Sequence, residues 1–351
     1  MVHRHPETRH EATPPSVGII ANPSSGRDVR RLLGWASVFP MSEKIHVVLR
    51  LLSALGSLGV GQVWMAPDAA GIATRVREAL DAARRQRPMP ELRLLDLRVH
   101  DDVRDSERAA AAMAAHGVRL IAVLGGDGTH RAVAAHCGAV PLATLSTGTN
   151  NAFAQLREAT LVGIAAALYA SGRVDEALGL RTNKRLRLLG EGVDEIALVD
   201  VCVSRELARG ARAVGSADDL SDIYVSFAEP QQIGLSAIAG LTHPVSRDDP
   251  FGVHVRLGPG RVLHAPLLPG VLQPVSIAAV QRLLPGRWAP VTLTRGTIAI
   301  DGERHVEFDA HQRLHVALDL QGPRSIAVER ILRHAAQQGL LFDEPGPWPV
   351  A

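Results

Sequence analysis

The stretch Leu120-Ile-Ala-Val-Leu-Gly-Gly-Asp-Gly-Thr-His-Arg-Ala-Val-Ala134 carries the fold prediction. It begins with a continuous apolar run, which is typical of a strand buried on both faces. Ala132 to Cys137 then indicates a short helix that ends at Gly138. Three glycines, an aspartate and a threonine separate the two. Glycine lets the backbone approach a phosphate closely, and the N–H groups at a helix start attract negative charge. The stretch therefore predicts a phosphate-binding turn.

The turn Gly125 to Thr129 fits neither of two common phosphate-binding fingerprints. The G-x-G-x-x-G spacing fails at Arg131, and no Gly-Lys-Ser/Thr follows as in a Walker A loop. The alternative interpretation is a tight turn that needs glycine only for positive φ. Asp127 adds a carboxylate that can orient a hydroxyl, take its proton or bind Mg²⁺. His130 follows the turn, and we expect it on the surface.

Length and composition bound the class of protein. A chain of 351 residues is long enough for two domains, and its formal net charge of +2 does not indicate bulk attraction to nucleic acid or membrane. Cys137 and Cys202 lie in apolar segments, as buried reduced thiols do. The N-terminus shows no apolar signal region, and no run approaches the roughly 20 apolar residues that span a bilayer. We expect a cytoplasmic protein without membrane insertion.

Strands and helices alternate from residue 16 to about residue 172, after a loose tail at residues 1–15. The expected strands are 16–21, 60–65, 92–97, 120–124 and 140–145, and the expected helices are 43–57, 71–83, 106–115, 132–137 and 152–171. This alternation predicts an α/β domain with a parallel, doubly wound sheet. Ligands bind such sheets at the carboxyl ends of the strands, where the turns after residues 21 and 124 would meet.

The pattern changes after about Gly172. Short β-rich runs follow, separated by Gly, Pro and Asp, and they predict a mostly antiparallel β domain over residues 173–324. The expected strands include 186–189, 196–204, 223–227, 253–257, 262–264, 291–294, 297–300 and 314–318. A helical pattern returns at residues 325–338, and the rest of the segment 325–351 reads as a tail.

Four segments, in chain order, resemble the signature blocks of the NAD kinase and diacylglycerol kinase superfamily. They are Asn22-Pro23-Ser24-Ser25-Gly26, Gly125-Gly126-Asp127-Gly128-Thr129, Ser146-Thr147-Gly148-Thr149-Asn150 and Asp301-Gly302-Glu303. The resemblance covers roughly residues 16–340 and implies an N-terminal α/β domain, a C-terminal β-sandwich domain and a site in the cleft between them. Ile19 to Pro23, Ser146 to Phe153 and Gly234 to Gly240 also resemble acetoin catabolism protein X, a bacterial branch related to NAD kinases.

The resemblance implies ATP and Mg²⁺ as cofactors and a phosphoryl transfer to an alcohol. Such a reaction asks the protein mainly for positioning and charge neutralisation. The implied nucleotide-binding residues are Asn22, Pro23, Ser25, Gly26, Gly125, Gly126, Asp127, Gly128, Thr129, Thr147, Gly148, Thr149 and Asn150. Asp127, Asp301 and Glu303 are the implied catalytic residues, with Asp127 and Asp301 as alternative bases. The Asp301-Gly302 pair is also a strong hairpin-turn signal. Asn151 and Asp200 are placed on the acceptor side, no metal ligand is assigned, and a homo-oligomer is expected.

Three departures from the superfamily pattern concern the acceptor side. Val199-Asp200 stands where NAD kinases carry an Asn-Glu or Asn-Asp pair, and residues 229–234 replace a Thr-Gly-Ser-Thr-Ala-Tyr block. Asn150 to Phe153 lacks the carboxylate of the Asn-Asp-Phe segment of lipid kinases. Three functions therefore stay open: an NAD-kinase-type enzyme, a kinase for lipids or other small alcohols, and a nucleotide-sensing accessory protein that has lost the acceptor site.

Overall fold

The computed structural model describes residues 15–26, 34–36, 38–148, 151–206, 216–343 and 346. Residues 1–14 of the expected tail lie outside these ranges, as do Thr149 and Asn150 of the third signature segment. The expectations for these residues remain untested.

A seven-stranded sheet forms the centre of the first domain. In sheet order its strands are Glu91–Leu94, Gln62–Met65, Ser16–Ala21, Leu120–Gly125, Leu142–Ser146, Arg324–Ile326 and Leu180–Thr182. All neighbours are parallel except the last pair. The strand order reverses between the third and fourth strands of this list. That place is the topological switch point, where open α/β sheets bind their ligands.

Helices cover both faces of this sheet. One face carries Met41–Ser57, Ile72–Ala83, Ala159–Ala170 and Val328–Gln337, and the other carries Val103–Ala115 and Asp127–His136. The short helix Glu176–Gly179 precedes the strand Leu180–Thr182. Apolar residues at helical spacing explain the packing, since Val48, Leu51, Leu52 and Leu55 lie fully buried on one helix face. The parallel, doubly wound α/β prediction is confirmed.

The second domain is a sandwich of two antiparallel sheets. The larger sheet has the order Val271–Leu283, Gly252–Leu268, Leu220–Val225, Asp200–Ser204, Gly296–Ile300 and Glu303–Phe308. The smaller has the order Trp288–Pro290, His315–Asp319, Arg185–Gly190 and Val193–Ala197. Leu188 of the smaller sheet and Val203 and Ile298 of the larger share one buried core. The helix Ser236–Gly240 packs on the other face of the larger sheet.

Two helices differ most from their predicted bounds. The helix expected at residues 132–137 already begins at Asp127, because extended Gly126 forms its N-cap and an acidic residue suits a first helical turn. The helix expected at 152–171 begins only at Ala159. Glu158 caps it there by accepting the N–H groups of Thr160 and Leu161.

Several predicted strands also differ. The run 196–204 divides into two strands at Leu198-Val199, and residues 291–294 are not a strand. One long strand, Gly252–Leu268, replaces the two short strands expected at 253–257 and 262–264, and it forms a hairpin with Val271–Leu283. The strands Leu180–Thr182 and Arg324–Ile326 belong to the first sheet, although the sequence-based division placed residues 173–324 in the second domain. No helix within the described ranges is long and apolar enough to cross a membrane.

Candidate functional site

Three of the signature segments meet at the switch point. The amide of Asn22 donates to the hydroxyl of Thr129 at 2.8 Å, which joins the first loop to the helix Asp127–His136. The hydroxyls of Ser25 and Thr147 lie 2.6 Å apart and join the first loop to the third. The main-chain N–H of Thr147 donates to the carbonyl of Gly125 at 3.3 Å. The structure therefore brings these segments together at the carboxyl edge of the sheet, as predicted.

Lys44 holds the first loop from inside the protein. Its buried ammonium donates to the carbonyl oxygens of Asn22, Pro23 and Ser25 at 3.0, 2.7 and 2.7 Å. These bonds turn the loop carbonyls inward. Lys184 does the same for another loop by donating to the carbonyls of Ser246, Asp249 and Phe251. Its burial lowers its pKa to about 8.

These two residues are the only lysines in a chain that carries 38 lysines and arginines together. A compact ammonium with three donors can satisfy three converging carbonyls in a space that a planar guanidinium does not match. Sequence reasoning missed both. The signal for them was the scarcity of lysine beside abundant arginine.

Replacement of Lys44 by methionine should destabilise the protein by about 2–4 kcal/mol, because three inward-facing carbonyls lose their donor. We expect ATP affinity to fall at least tenfold, since the loop that holds Asn22 and Ser25 would lose its shape. The matched Lys184→Met change should destabilise the protein similarly but lower ATP affinity much less, because the loop it holds reaches the segment 152–153 only through Arg247. Urea unfolding and calorimetric titration with ATP measure the two effects. Equal losses of ATP affinity in both variants would contradict the role given to Lys44.

Close contacts explain two of the glycines in the turn. A Cβ atom on Gly125 would lie 2.5 Å from the Thr129 side chain, and one on Gly126 would lie 3.1 Å from Asn151 Oδ1. Gly128 differs, because a Cβ there would lie 3.6 Å from the carboxylate oxygens of Glu303, which is an ordinary contact distance. Gly128 thus leaves space open between the helix start and the second domain.

Asp127 lies in the first turn of its helix, and its carboxylate is buried. One oxygen accepts the N–H of Ala152 at 2.7 Å, and the other accepts those of Phe153 and Ala154 at 3.0 and 3.2 Å. Burial raises its pKa above the ordinary value, while these bonds oppose the shift. The side chain therefore has a positioning role that sequence reasoning did not foresee. Its predicted role as a base remains a prediction.

Arg247 belongs to the second domain and binds the segment 152–153 through its carbonyl groups. The guanidinium donates to the carbonyls of Ala152 and Phe153 at 2.5 and 2.9 Å and lies 4.2 Å from the ring centre of Phe227. Burial lowers its pKa to about 10. Asp127 and Arg247 together clamp both the N–H and the carbonyl groups of residues 152–153, and we refer to this arrangement as the 152–153 clamp. The loop that carries Arg247 is the one held by Lys184.

Asp301 occupies the turn between two strands of the larger sheet. Asp301 has a φ of 50°, and Gly302 has a φ of 80°. Both values fit the tight hairpin turn that an Asp-Gly pair predicts. The buried carboxylate accepts the N–H groups of Leu198, Val199 and Asp200 at 2.8 to 3.3 Å. Burial, followed by the nearby charge of Asp200, raises its pKa to about 8. The turn is therefore both a hairpin and part of the site.

Glu303 follows this turn and is exposed, with its carboxylate facing Gly128 across the cleft. Arg131 lies between the two domains, with Nε 3.8 Å from Asp301 and a terminal nitrogen 3.4 Å from Glu195. Within the described residues, no three His, Cys, Asp or Glu side chains come together as a ready-made metal site. Mg²⁺ usually binds one or two carboxylates and completes its shell with phosphate and water, which a single exposed Glu303 fits.

Two cavities border the segments 127–129 and 301–303, and they share no lining residue. The larger encloses about 220 Å³ and is lined by Asn22, Pro23, Ser24, Gly128, Thr129, Arg131 and Glu303, together with residues after the second and third strands of the chain. The smaller encloses about 20 Å³ and is lined by Asp127, Ala152, Asp200, Ile233, Gly234, Leu235, Ser236, Leu267, Asp301 and Gly302. By the roles that we propose for them, we name the larger the nucleotide cavity and the smaller the acceptor cavity.

Asn151 is not among the residues that line the acceptor cavity, where it was predicted. It donates to the hydroxyl of Ser146 at 2.8 Å and lies against Gly126 and Gly148, so it belongs to the nucleotide loops. Asp200 lines the smaller cavity, and its place on the acceptor side remains a prediction.

His130 is fully buried, so its predicted surface position is wrong. Nδ1 lies 2.8 Å from the carbonyl of Gly126, and the ring packs at a tilt against Phe153. Burial lowers its pKa to about 4. The ring is therefore neutral, with Nδ1–H as the donor, and it supports the first turn of the helix.

Protonation of His130 should make the protein acid-sensitive. The folded-state pKa of about 4 lies below the ordinary 6.5, so the unfolded chain takes up the proton first as the pH falls. The contribution of His130 to stability should therefore decline from pH 6.5 towards pH 4, by about 2 kcal/mol between pH 7 and pH 5. It is measured as a difference from His130→Gln, because Asp301, whose raised pKa acts in the opposite direction, is present in both proteins. Urea unfolding at these two pH values measures the decline. His130→Gln should remove most of it, and an equal decline in this variant would contradict the assignment.

Comparisons with known proteins agree with this architecture. Residues 17–174 match the family model of the ATP-NAD kinase N-terminal domain, and residues 182–321 match that of the acetoin catabolism protein X C-terminal domain. The chain is 46% identical over 348 residues to acetoin catabolism protein X of Cupriavidus necator, a match that covers 96% of each chain.

Two solved structures show a looser likeness. Yeast NADH kinase complexed with NADH shares 13% identity, with a TM-score of 0.48 over 97% of this chain and 91% of that one. A putative diacylglycerol kinase from Bacillus anthracis shares 13% identity, with a TM-score of 0.46 over 89% of this chain and 97% of that one. At these values neither structure bears on activity or substrate.

Proposed function

The chain belongs to the acetoin catabolism protein X family, and from this membership we propose that it is an ATP-dependent kinase acting on a hydroxyl group. The observation that carries the proposal is the pair of separately lined cavities that both border segments 127–129 and 301–303. A phosphoryl donor in one cavity and an alcohol in the other would meet at these segments. Phosphoryl transfer needs such an in-line placement of donor and acceptor.

The nucleotide cavity supplies neutral donors for phosphates at the helix start, while Asp68, Asp101, Asp102 and Asp105 add acidic side chains to its lining. The first N–H groups of the helix that begins at Asp127 have no partner within the helix and carry its positive dipole end. The loop 22–26 and Thr147 lie beside them through the bonds of Asn22 and Ser25. Glu303 would hold Mg²⁺, which would neutralise charge on the phosphates. The resemblance to the NAD kinase and diacylglycerol kinase superfamily implies that Thr149 and Asn150 also bind the nucleotide.

Asp127, Asp200 and Asp301 line the acceptor cavity, where an alcohol would lose its proton. NAD or a related hydroxyl compound is the acceptor suggested by the ATP-NAD kinase domain match. We further propose a cytoplasmic homo-oligomer that acts in acetoin catabolism, the context in the name of the Cupriavidus necator relative. A contribution to NADP synthesis would follow only if NAD is the acceptor.

One observation favours a non-catalytic alternative, a nucleotide-sensing accessory protein. The oxygens of Asp127 and Asp301 each accept main-chain N–H groups, an arrangement that serves structure without any chemistry. The lipid-kinase alternative expected an apolar cleft near residues 233–241. In the structure, Ala237, Ile238 and Ala239 are fully buried there, and the adjoining cavity holds only about 20 Å³.

A two-step experiment tests the proposal. Thermal unfolding with ATP and Mg²⁺ should show a raised Tm, and a coupled assay should show ADP release that depends on an added acceptor. Binding of ATP without turnover of NAD, NADH, diacylglycerol or small ketols would favour the accessory protein. If ATP has no effect on Tm, the chain does not bind ATP and the proposed nucleotide site is wrong.

A further inference from the structure

Among the described residues that line the nucleotide cavity, one side chain carries a positive charge, and it belongs to Arg131. The same lining carries five carboxyl groups, those of Asp68, Asp101, Asp102, Asp105 and Glu303. A triphosphate brings several negative charges of its own into this cavity. The position of the guanidinium therefore indicates where the phosphates lie.

The four aspartates are separated from Arg131 by the order of the sheet. They follow the second and third strands of the chain, and the first strand lies between these and the fourth, which leads into the helix that carries Arg131. Two main-chain N–H groups donate to Asp68, Arg104 pairs with Asp102, and Arg108 pairs with Asp105. These partners offset most of the acidic charge there and leave the helix start as the place for phosphates.

Arg131 lies one turn after Gly128 on the same face of the helix. A Cβ at Gly128 would lie 3.6 Å from the carboxylate oxygens of Glu303, so an open gap separates the helix start from that carboxylate. Gly128, Arg131 and Glu303 all line the nucleotide cavity. The guanidinium therefore borders the gap in which Mg²⁺ on Glu303 and the end of a triphosphate would meet.

The guanidinium of Arg131 is buried, yet its contacts with the protein are long. The residue is 9% exposed, one terminal nitrogen lies 3.4 Å from Glu195, and Nε lies 3.8 Å from Asp301, beyond hydrogen-bond distance. Within the described ranges, Nε has no hydrogen-bond partner. A guanidinium has five N–H donors, and a phosphate beside it would accept two of them in parallel.

We infer that Arg131 binds the γ-phosphate of ATP and makes this site select nucleoside triphosphates over diphosphates. The inference rests on the proposed kinase function. A planar guanidinium matches two phosphate oxygens, which a lysine ammonium does not. Glu195 and Asp301 belong to the second domain, so the same side chain would connect the γ-phosphate to the turn that borders the acceptor cavity.

The step in which Arg131 would take part balances. The acceptor oxygen forms a bond to the γ-phosphorus, and the bond from that phosphorus to the β,γ-bridging oxygen breaks, so ADP leaves with the electron pair. The hydroxyl proton passes to an aspartate that borders the acceptor cavity and then to water. The guanidinium keeps its own protons and offsets the charge on the transferred group.

The affinities for AMP-PNP, a non-hydrolysable analogue of ATP, and for ADP test the inference by calorimetric titration with Mg²⁺. Arg131→Met should weaken AMP-PNP binding by about 10- to 100-fold, the loss expected for hydrogen bonds to a charged group. ADP binding should weaken by less than about threefold, because ADP has no γ-phosphate. Arg131→Lys should recover only part of the loss. Equal losses for both nucleotides in Arg131→Met would overturn the inference.

Glu195→Gln separates phosphate binding from a structural ion pair. It removes the carboxylate charge 3.4 Å from Arg131 and keeps the guanidinium, so AMP-PNP affinity should stay the same or rise. An arginine that only joined the two domains would lose AMP-PNP affinity in Glu195→Gln as in Arg131→Met, and this result would also overturn the inference. Arg185→Met is the control, since Arg185 pairs with Asp319 at 2.8 Å and lines neither cavity. Its AMP-PNP affinity should be unchanged.

ADP release from ATP distinguishes a failure of this inference from a failure of the proposed function. With an accepted alcohol, Arg131→Met should lower kcat at least about 100-fold. If the variant keeps both turnover and the preference for AMP-PNP, the inference alone is wrong. If the unmodified protein binds AMP-PNP without turnover of any acceptor, the kinase function is wrong, and a selective loss of AMP-PNP affinity in Arg131→Met would still support the inference. Failure of the unmodified protein to bind either nucleotide would overturn both.

Discussion

Replacement of Asp127 by alanine is expected to lower the free energy of unfolding by about 3–5 kcal/mol and to reduce turnover at least about 100-fold. The stability loss follows from three buried main-chain N–H groups, those of Ala152, Phe153 and Ala154, that would lose their acceptor. The activity loss follows because residues 152–154 continue directly from the loop that carries Thr147 and Gly148.

Asp127→Asn separates a positioning role from a role as base. The asparagine keeps the shape of the side chain but presents an NH₂ group to at least one N–H donor, so the 152–153 clamp should weaken by about 1–3 kcal/mol. A residue that served only as a base would lose turnover in this variant with stability unchanged. Urea unfolding and the ADP-release assay measure the two quantities, and an exposed helix residue, as in Asp81→Asn, is the control, with an expected change within about 0.5 kcal/mol.

A double-mutant cycle with Arg247 tests whether the clamp acts as a unit. Arg247→Met removes the guanidinium from the carbonyls of residues 152 and 153 and keeps much of the apolar contact with Phe227. Since both side chains order one segment, the double variant should be less destabilised than the sum of the single variants, by about 1 kcal/mol or more. Additive losses would show that each side chain acts on its own.

The sequence predicted the α/β domain well because its signals are local. Apolar runs such as Leu120 to Leu124, followed by a glycine-rich turn, indicate a buried parallel strand and the loop at its carboxyl end without knowledge of the rest of the chain. The order of the strands then places the loops after residues 21 and 124 beside each other. The meeting of these loops at one edge of the sheet could therefore be predicted from the sequence alone.

The supporting residues could not be assigned in this way, because their partners lie far away along the chain. Arg247 contacts carbonyls 94 and 95 positions earlier, and Asp301 binds N–H groups more than 100 positions earlier. A single sequence contains no local sign of such pairs. The burial of His130 was missed for a related reason, since the ring packs against Phe153, which lies outside its helix. The early start of that helix was missed although its signals, the Gly126 N-cap and the acidic first residue, are local.

The turn at residues 301–303 shows where local and distant signals combine. Asp-Gly predicted a hairpin, and the superfamily resemblance predicted a site, and both apply to the same residues. The side chains that flank Gly302 lie in different places, since Asp301 is in the turn and Glu303 begins the next strand. Asp301 consequently borders the acceptor cavity, while Glu303 borders the nucleotide cavity.

Glu303→Gln should reduce kcat at least about 100-fold, because a ligand that holds Mg²⁺ on the transferred phosphate contributes several kcal/mol of transition-state stabilisation. The side chain is exposed, so the free energy of unfolding should change by less than about 0.5 kcal/mol. Glu303→Gln should therefore lower activity without lowering stability, whereas replacement of Asp127 should lower both. Glu307→Gln, an exposed position on the same strand, is the matched control and should change neither.

The metal dependence of ATP binding distinguishes a Mg²⁺ ligand from a residue that contacts the nucleotide directly. For the unmodified protein, Mg²⁺ should tighten ATP binding relative to EDTA, and Glu303→Gln should remove most of that difference while leaving the Kd in EDTA nearly unchanged. Gly128→Ala should affect the same gap between Gly128 and Glu303. Its Cβ would lie 3.6 Å from the Glu303 oxygens, which is not a clash, and would occupy the space where metal and phosphate must fit. If both variants bind ATP with unaltered dependence on Mg²⁺, then the gap between Gly128 and Glu303 does not hold the metal, and the γ-phosphate must lie elsewhere along the helix start.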